Sequence, residues 1–290
     1  MEQKEFQKEK KANFSLKGIF ILFFLFILTL GLGIFSGLRI INLFKFQKIE
    51  IVTISFWEFL LNFVVAIILI VAAFILGRKF KGKKRILYKL LFVISTGFGA
   101  LISLGVIFED VALFLVLILS VLWLKKPCVL LQDILVVFGI AGTGSYLGVK
   151  MEPLVVVGLL VVFSIYDYLA VYKTKHMVKM AKEMVKEQAI LGLVLPQKIS
   201  DFKASLAEVI PGGERFFILG GGDMAFPLLL SCSVLHESLQ KSLVVAFFSF
   251  IGFLFTIFLF LRQKKHQPIP ALPPIALFSI IGYLITKLIQ

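Results

Sequence analysis

The segment Pro153–Tyr172, PLVVVGLLVVFSIYDYLAVY, is an almost unbroken run of aliphatic and aromatic side chains holding one charge, Asp167. A helix that crosses the hydrocarbon of a bilayer needs about 20 mostly apolar residues. The run therefore reads as a transmembrane helix, and the carboxyl inside it as a costly exception that points to function. The rest of the 290-residue chain has the same character, with 59% hydrophobic and 17% charged residues and a mean hydropathy of +1.00. Soluble domains carry roughly 45–50% apolar and about 25% charged residues. No water-facing surface could cover this much Leu, Ile, Val and Phe, so soluble folds are excluded. The fold class is all-α, an integral multi-pass membrane protein.

Nine segments reach or approach spanning length: 18–37, 56–77, 86–107, 111–124, 128–149, 153–172, 216–235, 243–261 and 270–288. The fourth is short, about 21 Å at 1.5 Å per residue, and is joined to its neighbours through Glu109-Asp110 and Lys125-Lys126-Pro127. The first follows the Lys-rich stretch Met1–Lys17. Its long apolar core and lack of an Ala-x-Ala-like cleavage site make it an uncleaved anchor.

The formal charge is +14, from 31 Lys+Arg and 17 Asp+Glu. In a soluble chain such an excess would suggest nucleic acid; here it sets topology. With nine spans, 24 Lys and Arg fall on the side of the N-terminal tail and the 2–3, 4–5, 6–7 and 8–9 connections, against 6 on the other. The expected topology puts the N-terminus in the cytoplasm and the C-terminus outside. Residues 1–172 then form the tail and spans one to six. Residues 173–215 form a cytoplasmic connection, and 216–290 form spans seven to nine. The first half of that connection, Lys175–Gln188, interleaves His176, Lys179, Lys182, Lys186 and Glu187 with Met177, Met180, Met184 and Val185. It reads as an amphipathic helix in the membrane interface. The second half, with Pro196, Pro211, Gly212 and Gly213, reads as looser chain. Cys128 and Cys232 lie in apolar stretches and cannot build a disulfide framework.

Four acids fall inside spans: Glu58, Asp133, Asp167 and Asp223. Glu58 sits beside Trp57 at a span end, where snorkelling accounts for it. Asp167, six residues before Lys173, is expected about 9 Å from the cytoplasmic end, and Asp223, eight residues after Arg215, about 12 Å in. Asp133, seven residues after Lys126, lies at a similar level. Two buried carboxyls at one depth either share a proton or coordinate a cation. A protonated and an ionised Asp together can activate water and protonate a leaving group.

Gly220-Gly221-Gly222 directly precedes Asp223. Each glycine costs about 1 kcal/mol inside a helix, so the span is expected to start late or unwind there. Pro268-Ile269-Pro270-Ala271-Leu272-Pro273-Pro274 forbids a helix and predicts an extended segment leading into the ninth span, at the same membrane face. Irregular backbone at membrane depth is tolerated where protein buries it or where it lines a watery cavity.

On these residues the chain resembles a known family. Tyr166-Asp167 looks like the Tyr-Asp motif on the sixth span of presenilins and signal peptide peptidases. Gly220-Gly221-Gly222-Asp223 matches the Gly-x-Gly-Asp motif of their seventh span, and Pro270-Ala271-Leu272 matches their Pro-Ala-Leu motif at the ninth. Short loops make it most similar to the archaeal presenilin-like homologues, which suggests a prokaryotic cell membrane. The resemblance implies an intramembrane aspartyl protease acting on transmembrane segments of membrane proteins. Asp167 and Asp223 would be the catalytic pair. Tyr166, Gly220, Gly221 and Gly222 would support the site, and Pro270, Ala271 and Leu272 would lie beside the pair and help hold substrate, by strand addition near Pro270. Spans one to six would form a scaffold around spans seven to nine. No metal, cofactor, nucleic acid or accessory subunit is expected, and a homo-oligomer is open. Asp133 lies outside the motifs; it either tunes the pair or bonds within span packing.

Rival chemistries lack their residues. A zinc protease needs His-Glu-x-x-His, and His236-Glu237-Ser238-Leu239-Gln240 ends in Gln. A serine protease would need an intramembrane His beside Gly142-Thr143-Gly144-Ser145, yet His176, His236 and His266 all lie at or beyond span ends. Prepilin-type peptidases share a Gly-x-Gly-Asp aspartate but lack Pro-Ala-Leu. The alternative from another class is a cation or proton transporter using Asp133, Asp167 and Asp223 as an ion site. A purely structural scaffold would leave the aspartates unexplained.

Overall fold

The computed structural model describes residues 16–51, 53–62, 64–65, 68, 84–210, 215–263 and 268–288. Most of the predicted N-terminal tail and second span, the basic residues Arg78, Lys79, Lys81 and Lys83, the Pro211-Gly212-Gly213 stretch and His266 lie outside the described residues. The chain is mostly helical. Its elements are α1 (Leu16–Phe46), α2 (Lys84–Ile107), α3 (Ala112–Lys125), α4 (Val129–Lys150), α5 (Pro153–Tyr168), α6 (His176–Lys186), β1 (Gly192–Pro196), β2 (Phe216–Gly220), α7 (Gly221–Ser233), α8 (Leu239–Arg262) and α9 (Leu272–Leu288). Among the described residues five helices are long and apolar enough to cross a membrane: Gly18–Phe46, Lys84–Ile107, Val129–Lys150, Pro153–Lys173 and Leu239–Arg262. Ala112–Lys125 and Leu272–Leu288 are apolar but shorter.

Large side chains face outward along these helices. On α3, Leu113, Phe114, Leu117 and Ile118 are all exposed along one face, a pattern suited to lipid contact. Inside, α4 is the hub and packs against α1, α2 and α7. Its approach to α2 runs over glycine: a Cβ on Gly142 would overlap the carbonyl oxygen of Gly99, and one on Gly99 the carbonyl oxygen of Gly139. Small residues at such seams let backbones approach closely, as is common in membrane helix pairs. Stacked rings tie neighbouring elements, Phe26 on Phe253 at 4.2 Å and Phe92 on Trp123 at 4.3 Å. Between α8 and α9 the buried hydroxyls of Ser249 and Ser279 bond at 2.7 Å.

The seventh predicted span is corrected. Residues 216–220 are a strand, and the helix begins at Gly221 and runs 13 residues. β2 pairs antiparallel with β1, Gly192 opposite Gly220 through Pro196 opposite Phe216. The reckoning of about 12 Å for Asp223 by helical rise therefore does not apply. The glycines explain the late start, and long-range pairing converts the residues before them to strand. The connection is also more ordered than expected: α6 forms where the amphipathic pattern predicted it, while Leu193, Val194 and Leu195 are buried in β1. Short 3₁₀ turns at Ile199–Lys203 and Leu206–Glu208 follow.

Arg215 closes this connection, donating to both Asp201 carboxylate oxygens at 3.0 and 3.1 Å and to Glu208 at 2.7 Å. The guanidinium holds both carboxyls below their ordinary range. Glu58, exposed at a helix head, is also tied to the chain beside it. Its carboxylate accepts the Ser55 N–H at 3.0 Å while the Ser55 hydroxyl accepts the Glu58 N–H at 3.3 Å, a capping box.

Candidate active site

Three elements meet at the aspartates, because α5 and α7 pack on each other and both pack on α9. Asp167 lies near the end of α5, where the chain passes into a π-helical turn, Leu169–Lys173. Such turns inside helices are frequent at functional sites. The Asp167 side chain is 5% exposed, and its Oδ2 accepts the Leu272 backbone N–H at 3.2 Å. Asp223 is the third residue of α7, in the first turn of a helix that starts on glycine. It is partly exposed, and the Gly220 amide faces its carboxylate. A carboxylate there meets free N–H groups and the positive end of the helix dipole. Asp167 and Asp223 are close enough for their charges to act on each other.

The third motif arrives through its backbone. Pro270 and Leu272 are buried, and the helix opens at Leu272 with Pro273 and Pro274 inside its first turn. The predicted extended segment therefore ends three residues sooner than the prolines suggested, at Ala271. Proline is accommodated there because a first-turn N–H has no intrahelical partner. Leu272, at that free end, donates instead to Asp167. The Ala271 carbonyl receives the Thr256 hydroxyl of α8 at 3.5 Å.

Of the predicted site residues, Asp167, Asp223, Gly220 and Leu272 converge directly, and Gly221 and Gly222 form the helix start between them. Tyr166, beside Asp167 in the chain, is 52% exposed. Phe163 and Phe226, unremarked in the sequence, pack at 4.6 Å, one turn from Asp167 and Asp223 respectively, and lock α5 to α7. Only the i−4 and i+3 offsets from the aspartates could have suggested them, and among 32 Phe that signal is lost.

The rival residues are engaged elsewhere. The His236 ring bonds the Val149 carbonyl at 2.6 Å, and Glu237 pairs with Lys241 and Lys287 at 3.0 and 2.6 Å. Ser145 bonds the Gly142 carbonyl within α4 at 2.9 Å. Among the described residues no group of three or more His, Cys, Asp or Glu could hold a metal ion.

Comparison with known proteins gives a consistent result. The family described as "Signal-peptide peptidase, presenilin aspartyl protease" matches residues 47–290. A solved structure of a presenilin family intramembrane aspartate protease in a P2 crystal form is 19% identical, with a TM-score of 0.59 over 92% of this chain and 96% of that one. A second, in a C222 form, is 18% identical, with a TM-score of 0.62 over 92% and 98%. At such identity these structures share the fold. No curated protein matches the chain in sequence.

Proposed function

This chain belongs to the signal-peptide peptidase, presenilin aspartyl protease family, and on that premise we propose that Asp167 and Asp223 are its catalytic pair. The protein is an intramembrane aspartic endopeptidase that cleaves peptide bonds within transmembrane segments. The observation that carries the residue assignment is the Leu272 N–H on Asp167 Oδ2 at 3.2 Å, with Asp223 within electrostatic reach of the same carboxyl. That contact joins the Pro-Ala-Leu and Tyr-Asp motifs, and the charge of Asp167 reaches the third motif at Asp223.

The chemistry follows from two carboxyls sharing a proton. The ionised one takes a proton from water as that water attacks the scissile carbonyl carbon; the protonated one gives its proton to the carbonyl oxygen. A substrate helix must first unwind, since its own hydrogen bonds shield each carbonyl. Strand β2 runs directly into α7, and the backbone of Phe216 and Ile218 points away from β1. An unwound substrate would add there as a further strand, beside Asp223, with Pro270, Ala271 and Leu272 closing the other side.

The proposed topology has nine spans, the N-terminus in the cytoplasm, the C-terminus outside and the aspartates toward the cytoplasmic end. The substrates are membrane proteins met within the bilayer. The protein works without accessory subunits, in a prokaryotic cell membrane. The test is cleavage of a model transmembrane peptide by purified protein. Asp167→Asn and Asp223→Asn should each lose cleavage while remaining folded; normal cleavage by Asp223→Asn would overturn the assignment.

A further inference from the structure

One buried acid has no part in this chemistry. Asp133 on α4 is 2% exposed; its Oδ1 accepts the Val194 N–H at 2.8 Å, and its Oδ2 has no hydrogen-bond partner among the described residues. The register shows why it meets Val194. Gly221 N–H donates to Leu191 and Gln197 N–H to Arg215, both at 3.1 Å, so β1 turns alternate residues to β2. In an antiparallel pair the residues between them direct their backbone groups to the opposite edge. Val194 is one of those, and Asp133 covers it. Pro196, the next on that edge, has no N–H to satisfy.

The neighbouring side chain acts on the same segment. Gln132, fully buried, donates its amide to the Ile190 carbonyl and accepts the Trp123 indole N–H at 3.0 Å. Two consecutive side chains of α4 thus grip the backbone at Ile190 and at Val194. Between these grips, the Leu191 carbonyl accepts the N–H of Gly221, two residues before Asp223. A helix start made of three glycines has little conformational stiffness of its own. Its position must come from what it is tied to.

We propose that Gln132 and Asp133 form a backbone clamp that positions Asp223 against Asp167, transmitting the rigidity of α4 through Leu191 to Gly221. Both are positioning residues; neither touches substrate. α4 is suited to this role because it is the hub packed against α1, α2 and α7. The inference rests on the assignment of Asp167 and Asp223 as the catalytic pair. The competing account is that Asp133 merely satisfies a strand edge that has no water to bond.

The experiment measures kcat, KM, the pH profile of kcat and the thermal midpoint for wild type, Asp133→Asn, Asp133→Leu, Gln132→Met and Asp223→Asn on one transmembrane peptide. Asp133→Leu removes the acceptor. It should lower kcat about 10- to 100-fold with KM nearly unchanged, the cost of displacing a catalytic group by about 1 Å. It should also shift the limbs of the pH profile, because the macroscopic titration of coupled carboxyls depends on their separation. Asp133→Asn keeps a carbonyl acceptor and should restore the wild-type profile. Gln132→Met should move kcat and profile the same way as Asp133→Leu, by less. Should Asp133→Leu fail to fold, Gln132→Met decides the matter. A folded Asp133→Leu or Gln132→Met with unchanged kcat and profile overturns the clamp, as does a lower kcat with an unmoved profile. Loss of the fold in both also overturns it, making the pair a folding determinant. An active Asp223→Asn instead overturns the catalytic assignment, a result distinct from any of these.

Discussion

Glycine does opposite work in two parts of this molecule. In the seam between α2 and α4, Gly99, Gly139 and Gly142 sit within regular helices, and a Cβ on Gly99 or Gly142 would strike backbone of the facing helix. At the head of α7 space is less restricted: a Cβ on Gly221 would lie 3.2 Å from the Leu191 carbonyl, and one on Gly222 3.6 Å from the Phe226 ring. The seam uses glycine for proximity and so for stability. The α7 start uses it to end a strand and begin a helix beneath a carboxyl. One region should therefore fail by unfolding, and the other by losing chemistry while folded.

The largest effect tests the second half of that contrast. Asp223→Asn should reduce cleavage by on the order of 10³-fold or more, as expected when an essential acid–base group is lost, with the thermal midpoint held. Unfolding of this variant would erase the contrast. Next comes the seam, where Gly142→Val forces α4 away from α2. Overpacking of this kind costs roughly 1–3 kcal/mol or more, so the thermal midpoint should drop while each molecule that stays folded keeps its kcat.

Gly220→Ala sharpens the comparison, because its Cβ would sit 3.0 Å from Asp223 Oδ2. A crowded carboxyl predicts about a tenfold lower kcat with little change in stability; an unchanged kcat would show that the carboxyl has room to move. Gly222→Ala is the mildest change at the site. Its open surroundings and helical position predict a gain of up to about 1 kcal/mol and unaltered kinetics.

The smallest effect lies at the mouth of β2. Arg215 holds Asp201 and Glu208 below the ordinary carboxylate range. Depressed values mean their contribution is complete above the unfolded carboxylate values, about 4, and fades as pH falls through the folded ones. Acid scans of the thermal midpoint should therefore be shallower for Arg215→Gln than for wild type, and only slightly, because Arg215 and Glu208 are about half exposed and solvent screens the cluster.

Much of this was legible in the sequence, for identifiable reasons. Apolar length marked the spans from local composition alone, and the amphipathic spacing of His176–Lys186 marked α6. Asp167 and Asp223 stood out because a carboxyl amid Val, Leu and Phe has no cheap explanation. What stayed hidden was paired at long range. Phe216–Gly220 is as apolar as the span it was assigned to, and only its pairing with Gly192–Pro196, 20 to 28 residues earlier, makes it a strand. Asp133 carried the same mark as the other two acids, yet its partner is a strand amide 61 residues away.

The sequence by itself determined that the chain lives in a membrane, where most of its helices run, and which acids lie amid apolar side chains, one of them, Asp223, directly after a glycine break. These follow from transfer of side chains out of water and from backbone propensities, which act within a few residues. Only the tertiary structure decided how the breaks are used: Leu272 N–H on Asp167, Asp133 on Val194, Gly221 on Leu191. Each is a backbone group left free by a strand edge or helix end. Inside a bilayer such a group has no water to fall back on, so distant segments must supply its partner, and those partners fix the position of the aspartates.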